Sequence, residues 1–148
     1  MPTTTKYGTI WNSTDHFQIE MECIRRGGQW VNSRGVQCGL GLPAHIKNFQ
    51  SIVWPWKQWT RWNEHLILPE MCRSMHGGRL ALFGPSSTWK TFECSCIALT
   101  MFWVKPKGTT VLCSTTTIDA LNTRIFGEIK DLFRQGKQRY PLLAGHLE

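Results

Sequence analysis

Residues 80–104 place the strongest constraint on what this chain can fold into. Leu80–Phe83 is a short apolar run that ends at Gly84. A polar stretch follows, Gly84-Pro85-Ser86-Ser87-Thr88-Trp89-Lys90-Thr91, and then TFECSCIALTMFW, which is apolar almost all round. A helix with no polar face has to be covered on several sides, as a helix packed on a sheet is. The pattern therefore predicts a buried strand at Leu80–Phe83 and a helix from Lys90 to Trp103. Beyond the turn Lys105-Pro106-Lys107-Gly108, the β-branched run Thr109–Ser114 reads as a second strand. Ile118, Leu121, Ile125, Ile129, Leu132 and Phe133 then recur at spacings of three and four, the mark of an amphipathic helix. Thr116 with Asp119 resembles a capping box at its start, and Gly136 reads as its stop. Strand, helix, strand, helix implies parallel strands joined by right-handed crossovers. The expected class is α/β.

The rest of the chain has less pattern. Residues 1–50 are rich in Gly and weakly periodic, and read as irregular. Residues 51–78 read as a pair of short helices. Pro55 suits a first helical position, Trp59, Trp62 and Leu66 fall on one face, Pro69 starts the second helix and Gly77-Gly78 stops it. This divides the chain into an N-terminal arm, 1–78, and the beginning of an α/β domain, 79–148. No apolar run approaches the roughly 18 residues of a membrane span, and the polar start carries no signal core. The expectation is a cytoplasmic protein without membrane contact, with its six Cys reduced. Lys plus Arg number 17 against 10 Asp plus Glu, a net charge of +7, which suits a phosphate-rich partner as well as plain solubility.

The segment between the first expected strand and its helix carries the chemistry. The pattern G-x-x-x-x-G-K-[ST] wraps backbone N–H groups around phosphates at the positive end of a helix. The sequence matches at Gly84, Lys90 and Thr91, and places Trp89 where the second glycine belongs. Pro85, Ser86, Ser87 and Thr88 form the body of the loop. Lys90 is the candidate catalytic residue, reaching the terminal phosphates, and the Thr91 hydroxyl is the candidate contact to nucleotide-borne Mg²⁺. The cofactors implied are ATP and Mg²⁺. An indole at position 89 is expected either to strain the loop, because that site asks for torsions a bulky residue dislikes, or to cover the phosphate site.

Residues 79–148 resemble the beginning of the P-loop ATPase domain of a phage terminase large subunit, the viral DNA-packaging motor. The resemblance rests on the GPSSTxKT loop and on TTVLCSTTTIDALNTRIFGEIKDLF after it. CGLGLPAHIKNFQSIVWPWKQWTRWNE, residues 38–64, is similar to the lead-in of some terminase-like proteins. The resemblance implies ATP held by Gly84–Thr91, double-stranded DNA, the terminase small subunit and the portal as partners, homo-oligomers, and the host-cell cytoplasm. Arg124 becomes a candidate for nucleotide or DNA contact, or an ordinary polar-face residue. Two family features are missing. The acids after Lys90 are Glu93, Asp119, Glu128, Asp131 and Glu148, and none follows a run of four apolar residues, so the pair that activates water is lacking. The clustered carboxylates of a nuclease half are lacking too. The expectation is a fragment without efficient hydrolysis. Alternatives are a helicase-type ATPase fragment and a non-catalytic DNA-binding or assembly remnant.

Other constellations are weaker. Cys23, Cys38, His45 and His16 offer zinc donors at poor spacing. Cys94-x-Cys96 diverges on a helix. Trp54, Trp56, Trp59 and Trp62, interleaved with Lys57 and Arg61, suit either packing or stacking on bases. The five His share no catalytic context.

Overall fold

The computed structural model describes residues 4–5, 8–9, 19, 22–23, 25–26, 30–31, 37–38, 42–74, 79–84, 89–104 and 109–147. Four two-residue strands open the chain. β1 (Thr4–Thr5) pairs antiparallel with β2 (Gly8–Thr9), and β3 (Trp30–Val31) pairs antiparallel with β4 (Gln37–Cys38). Among the described residues after them, everything is helical or irregular. Residues 19, 22–23 and 25, between β2 and β3, are helical, and later helices are α1 (Leu42–Val53), α2 (Leu68–Ser74), α3 (Lys90–Val104), the short α4 (Ile118–Ala120) and α5 (Gly127–Arg139).

The α/β expectation is overturned. Among the described residues no parallel strand exists. Leu80–Phe83 and Thr109–Ser114, read as the first strands of a P-loop sheet, lie outside any ladder. Phe83 is 93% exposed and Leu112 is 91% exposed. The physical reason is what covers α3. Its Phe92, Cys96, Leu99 and Trp103 pack into one core with Phe49, Val53 and Trp54 of α1 and its exit and Leu132 and Phe133 of α5. Its Ile97 joins a second core with Ile46, Ile67, Leu68, Met71 and Cys72. Helices therefore bury two sides of α3, where a sheet was expected. The first core also takes in Ile19, Cys23 and Leu143, so it draws on both sides of residue 78.

Two tryptophans anchor that core. Trp54 and Trp103 are wholly buried, with ring centroids 5.6 Å apart. Each indole N–H finds a carbonyl: Trp54 donates to Leu132 at 2.9 Å and Trp103 to Ala144 at 3.0 Å. A buried indole is retained at low cost only when its N–H is satisfied. Gly136 lies beneath the Trp103 ring. A Cβ there would sit 2.5 Å from Cη2 of Trp103 and 3.2 Å from Cγ1 of Val53. The helix continues past it to Arg139, so Gly136 is a close-approach residue and not the expected stop.

Local punctuation differs from the sequence reading at several more places. The helix over 118–139 is capped by Thr117, whose hydroxyl accepts from the Ala120 N–H at 3.1 Å; Thr116 is not the cap. A π-helical segment, Leu121–Phe126, joins α4 to α5. Upstream, Pro55 lies in the turn after α1, and Pro69 sits inside a helix instead of starting one. Pro69 lacks an N–H and its ring crowds the carbonyl one turn back. The chain absorbs this with a π-helical turn, Asn63–Ile67, immediately before α2, in which the Leu68 N–H reaches the Asn63 carbonyl. Most of helix α1, up to Gln50, falls within the stretch read as irregular. Its Ile46, Phe49, Ile52 and Val53 are buried at helical spacing, but the buried face also carries His45 and Gln50, which hides the period.

Candidate functional site

Helix α3 begins at Lys90 because the chain turns sharply just before it. Trp89 has φ 58°, in the left-handed region that glycine adopts freely and an L-residue enters only at a cost. The expected backbone strain is therefore present at Trp89. The ring is turned edge-on against Phe92, with centroids 5.2 Å apart at 85°. Lys90 and Thr91 line one concavity and Trp89 another.

Lys90 Nζ donates to the Gly84 carbonyl at 2.9 Å. The two ends of the candidate loop are thereby tied together, with Gly84 also at positive φ, 154°. Pro85, Ser86, Ser87 and Thr88, the body of the loop, lie outside the described residues. Thr91 is exposed in the first turn of α3. Lys90 and Thr91 stand at one end of a groove of about 730 Å³. Its floor is α3, through Cys94, Ala98 and Met101, and its sides are Leu80 and Leu82 on one hand and Val111 and Ser114 on the other.

The first turn of α3 is fastened to the N-terminal arm by a buried polar node. Lys57, between α1 and the π-helical turn, donates to Glu93 Oε2 at 2.8 Å and to Gln50 Oε1 at 2.5 Å. Its ammonium also lies 4.2 Å from the centroid of the Trp59 ring, a favourable cation–π position. Glu93 Oε1 accepts from Asn63 Nδ2 at 3.0 Å. Gln50 Nε2 donates to the Thr100 hydroxyl at 3.2 Å. The Lys57 and Glu93 side chains are 1% and 6% exposed, so water contributes little and these partners carry the whole cost of desolvation. Nothing in the spacing of Lys57, Asn63 and Glu93 announced this node. A lone acid inside an otherwise apolar helix was its one available signal.

The remaining expectations fall as follows. Of the zinc donors, Cys23 and His45 are buried, while His16 and the side chain of Cys38 lie outside the described residues. Among the described residues no group of three His, Cys, Asp or Glu side chains could hold a metal ion. Cys94 is exposed and Cys96 buried, so the pair diverges as a helix requires. Burial pushes the Cys96 and Cys72 thiols up to about 12, which keeps them protonated and unreactive. Arg124 is exposed on the π-helical segment before α5. Of the tryptophan cluster, Trp54 is core and Trp59 donates to the Ser51 hydroxyl at 2.9 Å, whereas Trp56 is 49% exposed. No helix among the described residues is long and apolar enough to cross a membrane. No family model, curated protein or solved structure matches the chain.

Proposed function

We propose that this chain binds the phosphates of a nucleoside triphosphate at Gly84–Thr91, as the nucleotide-binding part of a terminase-type DNA-packaging protein. The observation that supports this most directly is the junction at Trp89-Lys90. The chain enters a 15-residue helix through a left-handed residue, and the lysine after it folds back on the Gly84 carbonyl. A phosphate arriving at the helix N-terminus would meet the helix dipole and offer Lys90 a charged acceptor in place of a carbonyl. Thr91 offers a hydroxyl beside it.

The residues fit binding better than hydrolysis. Glu93 is the acid nearest Lys90 in sequence, and both of its oxygens are taken by Lys57 and Asn63. Mg²⁺ would therefore arrive with the nucleotide and find the Thr91 hydroxyl. The terminase assignment, with double-stranded DNA, small subunit and portal as partners, rests on the sequence resemblance and on the charge of +7.

The test is titration of a fluorescent ATP analogue into the full chain and into Trp89→Gly, with and without Lys90→Ala. Trp89→Gly adopts the φ of 58° without strain, so it should keep the turn into the helix and the dependence of binding on Lys90. Adding Lys90→Ala should remove roughly tenfold or more of the affinity, the loss expected for a charged hydrogen bond of about 1.5–3 kcal/mol. Binding that is indifferent to Lys90→Ala would refute the proposal.

A further inference from the structure

A second concavity lies across the first turn of α3 from the groove, and the sequence motif does not account for it. It encloses about 400 Å³, within the range of small-molecule sites, about 300–1,000 Å³. Trp56, Trp62, Trp89 and Phe92 contribute to its walls. Phe92 is buried and touches both outer rings, with centroids 5.8 Å from Trp56 and 5.2 Å from Trp89. Those two indoles remain 49% and 66% exposed. Two large rings are thus held half in water around a cavity, one of them on a residue with strained backbone.

The charges at this cleft narrow what it can take. Lys57 and Glu93 line it, but the ammonium is committed to Glu93 and Gln50, and the carboxylate to Lys57 and Asn63. Among the described residues that line it, a cation would find no spare carboxylate and an anion no spare ammonium. The open surface consists of aromatic faces, with the exposed Gln58 and Thr60 at the edge. A carboxamide and a hydroxyl both donate and accept. That combination suits a neutral, flat ring with hydrogen-bonding edges. We infer that the cleft bounded by Trp56, Phe92 and Trp89 binds a nucleobase by stacking. The base comes from a free nucleotide or from an unpaired strand; both present the same chemistry. The inference does not require the phosphate reading, since it depends on the rings and not on Lys90.

The experiment uses the full chain with three probes: adenosine, ATP and a short single-stranded oligodeoxyadenylate. Binding is followed by calorimetry. Trp56→Ala and Trp89→Ala each remove one stacking ring from an exposed position, and circular dichroism checks that both variants fold. Each should weaken binding of whichever probe the native chain takes by roughly 5- to 150-fold. Adenosine carries no phosphate, so Lys90→Ala should leave its affinity unchanged, which separates this inference from the proposed phosphate site. ATP and adenosine binding with weak oligonucleotide binding identifies a free nucleotide as the source. Oligonucleotide binding that falls steeply with salt identifies a strand. The inference is overturned if none of the three probes binds, or if Trp56→Ala binds as well as the native chain. A Trp89→Ala chain that fails to fold leaves Trp56→Ala to decide.

Discussion

Removing the Glu93 carboxylate tests whether the arm and the candidate loop are one mechanical unit. In Glu93→Ala, the Lys57 ammonium keeps Gln50 and the Trp59 face and loses the Glu93 carboxylate, its only charged partner among the described residues. Asn63 keeps the Gln58 carbonyl for its amide and loses Glu93. Because Lys57 is 1% exposed, solvent cannot replace the missing carboxylate without opening the core. Stranding one member of a buried pair costs about 3–5 kcal/mol, against about 5–15 kcal/mol for a whole domain. In urea unfolding followed by circular dichroism, a loss of about 4 kcal/mol with a slope near 2 kcal/mol per M moves the midpoint down by about 2 M. Glu93→Gln keeps one acceptor for Lys57 but can turn a second donor toward Asn63, so it should fall between native and Glu93→Ala. The double change Lys57→Met with Glu93→Leu removes both charges and should recover most of the loss. If Glu93→Ala stays within about 1 kcal/mol of native, the node is not buried as described and the reasoning fails.

Four further outcomes are expected. Gly136→Ala should lower stability by about 1–3 kcal/mol through overpacking against Trp103, although helix propensity alone predicts a gain of about 1 kcal/mol; thermal denaturation reads the sign. Peptide-resolved mass spectrometry after alkylation at neutral pH should find Cys94 modified, and Cys72 and Cys96 modified only after unfolding. The folded chain holds the protons of Cys72 and Cys96 up to about 12, against 9.0 for an ordinary thiol. That contribution to stability is complete below pH 9 and is lost between pH 9 and pH 12, which a series of urea midpoints would detect. Trp89→Gly should leave the melting temperature nearly unchanged, because relief of about 1–2 kcal/mol of backbone strain offsets a lost edge-to-face contact of about 0.5–1.5 kcal/mol.

The two long C-terminal helices were legible in the sequence, because an apolar period of three and four residues is a local property. Helix α3 over Lys90–Val104 and the helical run over 118–139 both stand where the pattern put them. The position of Trp89 as a site of unusual torsion was legible too, since the mismatch to glycine is written at one residue. Helix α1 was not, because His45 and Gln50 break its apolar face; Gln50 is satisfied by Lys57 and Thr100 from distant segments. The same limit governs the two apolar runs that looked like strands. Residue type determined that 80–83 and 109–114 would not be helical, but a strand is stabilised by its neighbour's hydrogen bonds, and no local pattern specifies a neighbour. The sequence by itself thus determined which segments coil into helices and where the loop must turn. The tertiary structure decided what covers α3, that Lys57 meets Glu93, and that Trp56 and Trp89 flank one cleft, because each of these depends on groups brought together from segments far apart in the sequence.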